Sequence, residues 1–194
     1  MKNRFVNAVA ILLIAAISLG FGYVYTRYSR EKELEEYPRK YQAEITPLSY
    51  TYSVPVAVIY ASVKVRSDFD PALTSDDGKT GLFQLTAEQY AELEALMGNE
   101  PTDPGLLYQP STSLRLGVFW ISHLFSKYGD WNTVYAAMYV GEDIADSWVA
   151  DESVSTDGRL TDIPDKTVSE YVKLMADTVK KYNTLYETAD NIAQ

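Results

Sequence analysis

One stretch, Val54 to Thr86, constrains this chain more than any other. It reads VPVAVIYASVKVRSDFDPALTSDDGKTGLFQLT. Val54, Val58, Ala61 and Val65 recur at helical spacing, which predicts a mostly buried helix over Val56 to Arg66. Arg66 sits at its C-terminal end, where a cation faces the helix dipole. Asp70-Pro71 marks a turn. Gly78 and Gly81 give the backbone freedom in a loop, ahead of Leu82-Phe83-Gln84-Leu85 and a second helix.

Composition removes several kinds of chemistry. The chain has no cysteine and one histidine, so disulfides, thiolate metal sites and multi-histidine zinc sites are excluded. A net charge of −10 argues against nucleic acid, anionic lipid surfaces and unspecific adhesion to an anionic wall polymer. At 194 residues and 46% hydrophobic content, one domain with appendages can bury a core. The 16 tyrosines suit either that core and its rim or a sugar groove.

The central stretch resembles the lytic transglycosylases of the lysozyme-like superfamily. Their signature is a helix ending in Glu-Ser-x-Phe-x-Pro, followed by Ser-x-x-Gly-x-x-Gly-Leu-x-Gln-Leu. The first half reads here Arg66-Ser67-Asp68-Phe69-Asp70-Pro71. The second reads Ser75-Asp76-Asp77-Gly78-Lys79-Thr80-Gly81-Leu82-Phe83-Gln84-Leu85. Upstream, Tyr37-Pro38-Arg39-Lys40-Tyr41 is similar to the start of many such domains. Downstream, Leu114-x-x-Gly117-x-x-Trp120-Ile121 resembles the family's Ile-x-x-Gly-x-x-Tyr-Leu. Ala136, Ala137, Gly141 and Trp148 match its Ala-Ala-Tyr-Asn-Ala-Gly-x-x-x-Val-x-x-Trp motif, and Ile163-Pro164 and Tyr171-Val172 its closing segment. The resemblance runs from Tyr37 to about Tyr186 and implies a mainly α, lysozyme-like domain.

It also implies that three site positions have changed. Arg66 stands where the family has its catalytic glutamate, Met138 where it has tyrosine, and Tyr139 where it has asparagine. As the resemblance implies, that glutamate is first acid and then base. Arginine can be neither: its pKa exceeds ~12 and it has no acceptor. The expectation is therefore a catalytically inactive relative, with no cofactor and no metal. It would bind peptidoglycan glycan strands or a cell-wall protein through a groove of Arg66, Ser67, Ser75, Gln84, Met138 and Tyr139. Arg66 would hold a peptidoglycan carboxylate or make an internal salt bridge to Asp76, Asp77 or Glu142. The alternatives are an active enzyme with its acid relocated to Asp68 or Asp70, or to Asp76 or Asp77, and an interaction protein without glycan affinity. A calcium site of Asp68, Asp70, Asp76 and Asp77 does not fit the EF-hand spacing.

Outside the motif, Phe5 to Tyr25 is an uncharged apolar run of the length that spans a bilayer. Residues 1–28 read as an uncleaved signal anchor rather than a cleaved signal peptide, with Tyr23, Tyr25 and Tyr28 in the aromatic belt. Cations flank both ends of the run, so the extracytoplasmic placement of the C-terminal part rests on the resemblance. Residues 29–36 form a charged helical stalk, 37–188 the domain and 189–194 a tail. Pro38 is expected in the first turn of a helix that Pro47 ends or kinks. Further helices are expected over Thr86 to Met97 and Ser111 to Tyr128, where Gly117 admits a neighbouring helix. A polar loop over Asp151 to Asp162 precedes a last helix to about Tyr186. His123 is expected to be packed or at the surface, not catalytic.

Overall fold

The computed structural model describes the backbone of residues 2–190 and the side chains of residues 17–186. The chain divides into two units, Met1–Pro38 and Arg39–Gln194. The first is the helix α1 (Lys2–Glu36), which carries an exposed Arg27–Glu31 ion pair one turn apart. Among the described residues no helix is long and apolar enough to cross a membrane. The side chains of residues 5–16, over half of the run Phe5–Tyr25, lie outside them.

The second unit is almost wholly helical: α2 (Gln42–Tyr52), α3 (Val56–Ser67), α4 (Ala87–Leu96), α5 (Pro110–Tyr128), α6 (Trp131–Val140), α7 (Glu142–Val149) and α8 (Lys166–Asp190). A 3₁₀ turn, Pro104–Tyr108, precedes α5. The loop over 151–162 holds a two-residue hairpin, β1 (Ser155–Thr156) with β2 (Arg159–Leu160), paired antiparallel.

The central helix α3 is buried from Ala57 to Val63, which is why its sequence is apolar on every side. It packs mainly on α8, where Tyr60 stacks on Tyr182 at 5.4 Å. Lys64 and Arg66 occupy its last turn, and Asp68 closes it in the left-handed conformation (φ 50°), its N–H donating to Lys64 O. Thr86 caps α4 in a full capping box with Gln89, matching the sequence reading.

Two expectations need correction. Pro38 lies four residues ahead of α2 rather than in its first turn. Pro47 does not end α2: it lies inside the helix, which continues to Tyr52 and ends at left-handed Ser53 (φ 55°). One proline deletes one intrahelical hydrogen bond, and the buried Ile45 on the same short helix helps to hold it against its neighbours. Leu82 to Leu85 is a turn ahead of the second helix, consistent with Thr86 as its cap. Thr80 bridges Leu85 across it, and the helix waits for the cap at Thr86.

Candidate functional site

The loop after α3 is wired from inside. Ser67, buried, donates its hydroxyl to Val63 O and Leu82 O. Gln84 takes the left-handed conformation (φ 49°), a costly one for a residue with a side chain. Its amide offsets that cost by donating to Leu73 O (2.9 Å) and Gly81 O (2.8 Å). Phe83 is fixed twice more: its N–H donates to Ser113 Oγ, and its ring lies against Gly117, where a Cβ would meet the ring at 2.0 Å. The close approach expected at Gly117 is thus made by a loop phenylalanine, not by a helix.

This wiring leaves the carbonyls of Phe83 and Gln84 facing the end of α3, and Arg66 takes both. Its Nε donates to Phe83 O (2.5 Å) and its Nη2 to Gln84 O (3.1 Å). Its Nη1 donates to Met138 O (3.1 Å) near the end of α6 and to the Tyr171 hydroxyl (3.3 Å) on α8. The guanidinium also lies over the Trp120 ring of α5, 5.3 Å from its centroid. One half-buried side chain therefore ties the loop to α3, α5, α6 and α8. Four of its five N–H groups contribute to that.

The internal salt bridge considered for Arg66 does not form. Asp77 bonds Ser75 and Lys79 instead, and Glu142 bonds Lys127 (2.9 Å) and lies 3.6 Å from His123. His123 is one-third exposed beside Phe119, at the surface as expected.

The other predicted groove residues spread over this region with different roles. Ser67 and Gln84 direct their side chains into the loop scaffold. Ser75 lies on the loop, bonded to Asp77 and to the Lys79 N–H. Met138 is buried and offers Arg66 only its carbonyl. Tyr139 is 44% exposed and packs on Tyr171, ring centroids 4.9 Å apart. Tyr171 and Trp120 are the site residues that the sequence reading did not assign to the groove. Both fall in matched motifs, and that was the available signal.

Three of the four aspartates weighed as a relocated acid have local partners. Asp68 is 74% exposed at its side chain and pairs with Lys64 at 2.5 Å. Asp70 accepts the Ala72 N–H in an exposed turn. Hydrogen bonds from Lys79 and Ser75 hold the Asp77 carboxyl down at about 2, the opposite of what a proton donor near neutral pH requires. Among the described residues no group of acids and histidines could hold a metal ion.

Against known proteins, the architecture is familiar. It matches an inactive mutant of the lytic transglycosylase Slt from Pseudomonas aeruginosa, with one glutamate replaced by glutamine, at TM-score 0.69 and 22% identity. That match covers 78% of this chain and 25% of that one. It also matches the 70 kDa soluble lytic transglycosylase from Escherichia coli, alone and in complex with bulgecin A. There the TM-score is 0.71 and the identity 18%, over 79% of this chain and 26% of that enzyme. The chain thus spans about a quarter of the length of these enzymes, and identities this low establish the fold alone. No curated protein sequence matches it. The sequence model of the transglycosylase SLT domain matches residues 45–157, more than half of the chain and the whole of the Arg66 site except Tyr171. By that match the chain belongs to the transglycosylase SLT domain family, with a mainly helical, lysozyme-like lytic transglycosylase fold.

Proposed function

We propose that this is a membrane-anchored, extracytoplasmic lytic-transglycosylase-like protein that acts at the peptidoglycan wall by binding and not by cutting. The observation that carries the proposal is Arg66. At the position where the family's motif has its glutamate stands a cation bonded to Phe83 O, Gln84 O and Met138 O. Cleavage needs a proton delivered to the glycosidic oxygen; Arg66 has none to give, and Asp68, Asp70 and Asp77 are bonded to other partners. In the Pseudomonas relative, an amide in place of one carboxyl accompanies inactivity. The anchor rests on the apolar run Phe5 to Tyr25 and the helical backbone of α1.

What is bound is a glycan strand or a protein of wall synthesis. The second has an observation in its favour: Arg66 and Tyr139 are engaged by the protein's own Tyr171, through a hydrogen bond and a ring contact. Two measurements on the full chain test the proposal. Retention on purified sacculi is expected if glycan is the ligand; its absence leaves the protein partner. A muropeptide digest is expected to contain no anhydro products, and their release would overturn the binding-only reading.

A further inference from the structure

A second feature lies beside this site. A cleft of about 540 Å³ runs between α4, the middle of α5 and the start of α7. Its α4 wall presents Glu88, Glu92 and Leu96, four residues apart and so on one helical stripe. Its α7 wall presents Glu142, Asp143 and Ile144. Leu96 is 56% exposed and Ile144 47%, so each wall offers solvent an aliphatic side chain beside carboxylates. One cation, Lys127, lines the cleft, and it is already bonded to Glu142 and Asp146. Glu88, Glu92 and Asp143 have no cation of the cleft to face.

We propose that this cleft docks a basic, amphipathic peptide segment of another protein. Apolar side chains of that segment seat between Leu96 and Ile144, and its lysines or arginines meet Glu88, Glu92 and Asp143. Spacing four residues apart on the α4 wall suits a helical guest with the same repeat. Charge complementarity selects the guest: anionic stem peptides and nucleic acids are repelled by the same carboxylates. A neutral glycan is disfavoured for a different reason. Sugar rings stack on open aromatic faces, yet Trp120, the aromatic of the cleft, is 4% exposed and lies beside the Arg66 guanidinium. The inference goes beyond the binding-only reading and stands whether or not the site above cleaves glycan.

The test uses the full chain in detergent and a helical lysine–leucine peptide of about 20 residues as probe. Glu88→Lys with Glu92→Lys is expected to weaken binding about tenfold or more, since two close charge pairs become repulsive. Glu152→Lys with Glu170→Lys makes the same change in net charge outside the cleft and is expected to weaken it less than about threefold. Leu96→Asp with Ile144→Asp is expected to weaken binding as much as the cleft reversal. Circular dichroism checks each fold. Equal losses in the two charge-reversed pairs would show attraction to overall charge and overturn the proposal, as would no binding of the probe. Displacement of the probe by a neutral N-acetylglucosamine oligomer would assign the cleft to glycan instead. Sacculus retention and muropeptide release, measured on the same variants, report on the earlier reading separately.

Discussion

At the scale of one residue, Arg66 is a structural part that joins a loop to three helices. Replacing it with alanine removes charge-assisted bonds to three carbonyls and leaves them without those donors. We expect Arg66→Ala to cost about 1–3 kcal/mol in urea unfolding. Arg66→Lys should recover little, because one ammonium lacks the planar fork that reaches three acceptors at once. Arg66→Glu is the sharper case. Its carboxyl would face the same carbonyls, so its ionised form is disfavoured and its pKa rises above the ordinary ~4.3. For an acid raised in the folded state, stability is kept at low pH and lost as pH rises through the folded value. The deficit of this variant against the wild type should therefore be small near pH 4 and grow toward pH 7. No turnover is expected from it: its proton has carbonyls to bond, buried Met138 donates nothing, and Tyr139 is packed on Tyr171. Arg66→Glu with Met138→Tyr and Tyr139→Asn should show weak anhydromuropeptide release, and robust release by the single variant would refute this account. The place of Arg66 at the end of α3 was legible in the sequence. Its partners were not, because three of the four are backbone carbonyls, and no letter in a sequence marks where a carbonyl points.

At the scale of elements, α4, α5 and the end of the chain were legible because each has an apolar stripe, a cap or both, and α3 because apolar residues recur at helical spacing along it. Pro47 does not end α2, because that helix is held partly by tertiary packing. Two element contacts give predictions. Gly117→Ala pushes a methyl into the Phe83 ring, whose carbonyl holds Arg66. The expected cost is about 1–3 kcal/mol, with the Trp120 fluorescence environment altered as well. Glu94 joins α4 to α5 through Arg115 and also accepts from Asn99. Burial pushes its carboxyl up, but the bonds from Arg115 and Asn99 outweigh that and hold it below its ordinary value. A depressed acid contributes stability above the ordinary carboxylate range, which is lost as pH falls through the folded value. Glu94→Gln should thus be less stable than the wild type at pH 7, and the difference should close on acidification below about pH 4.

At the scale of the molecule, charge decides how the chain meets a wall. The net charge is −10, and the peptidoglycan wall with its stem carboxylates is also anionic. A basic wall binder adheres best in low salt, where nothing screens the attraction. Here the long-range term is repulsive, so any retention must come from short-range contacts in a groove. Salt shortens the Debye length from ~30 Å at 0.01 M to ~8 Å at 0.15 M, which removes the repulsion and leaves those contacts nearly intact. Retention on sacculi is therefore expected to rise between these salt concentrations, opposite to the behaviour of a cationic protein. Binding of the lysine–leucine probe to the acidic cleft should fall over the same range, because that interaction is attractive at long range. The opposed salt slopes separate the two surfaces in one pair of titrations. Sacculus binding that weakens with salt would mean that a local basic face, not the groove, makes the contact.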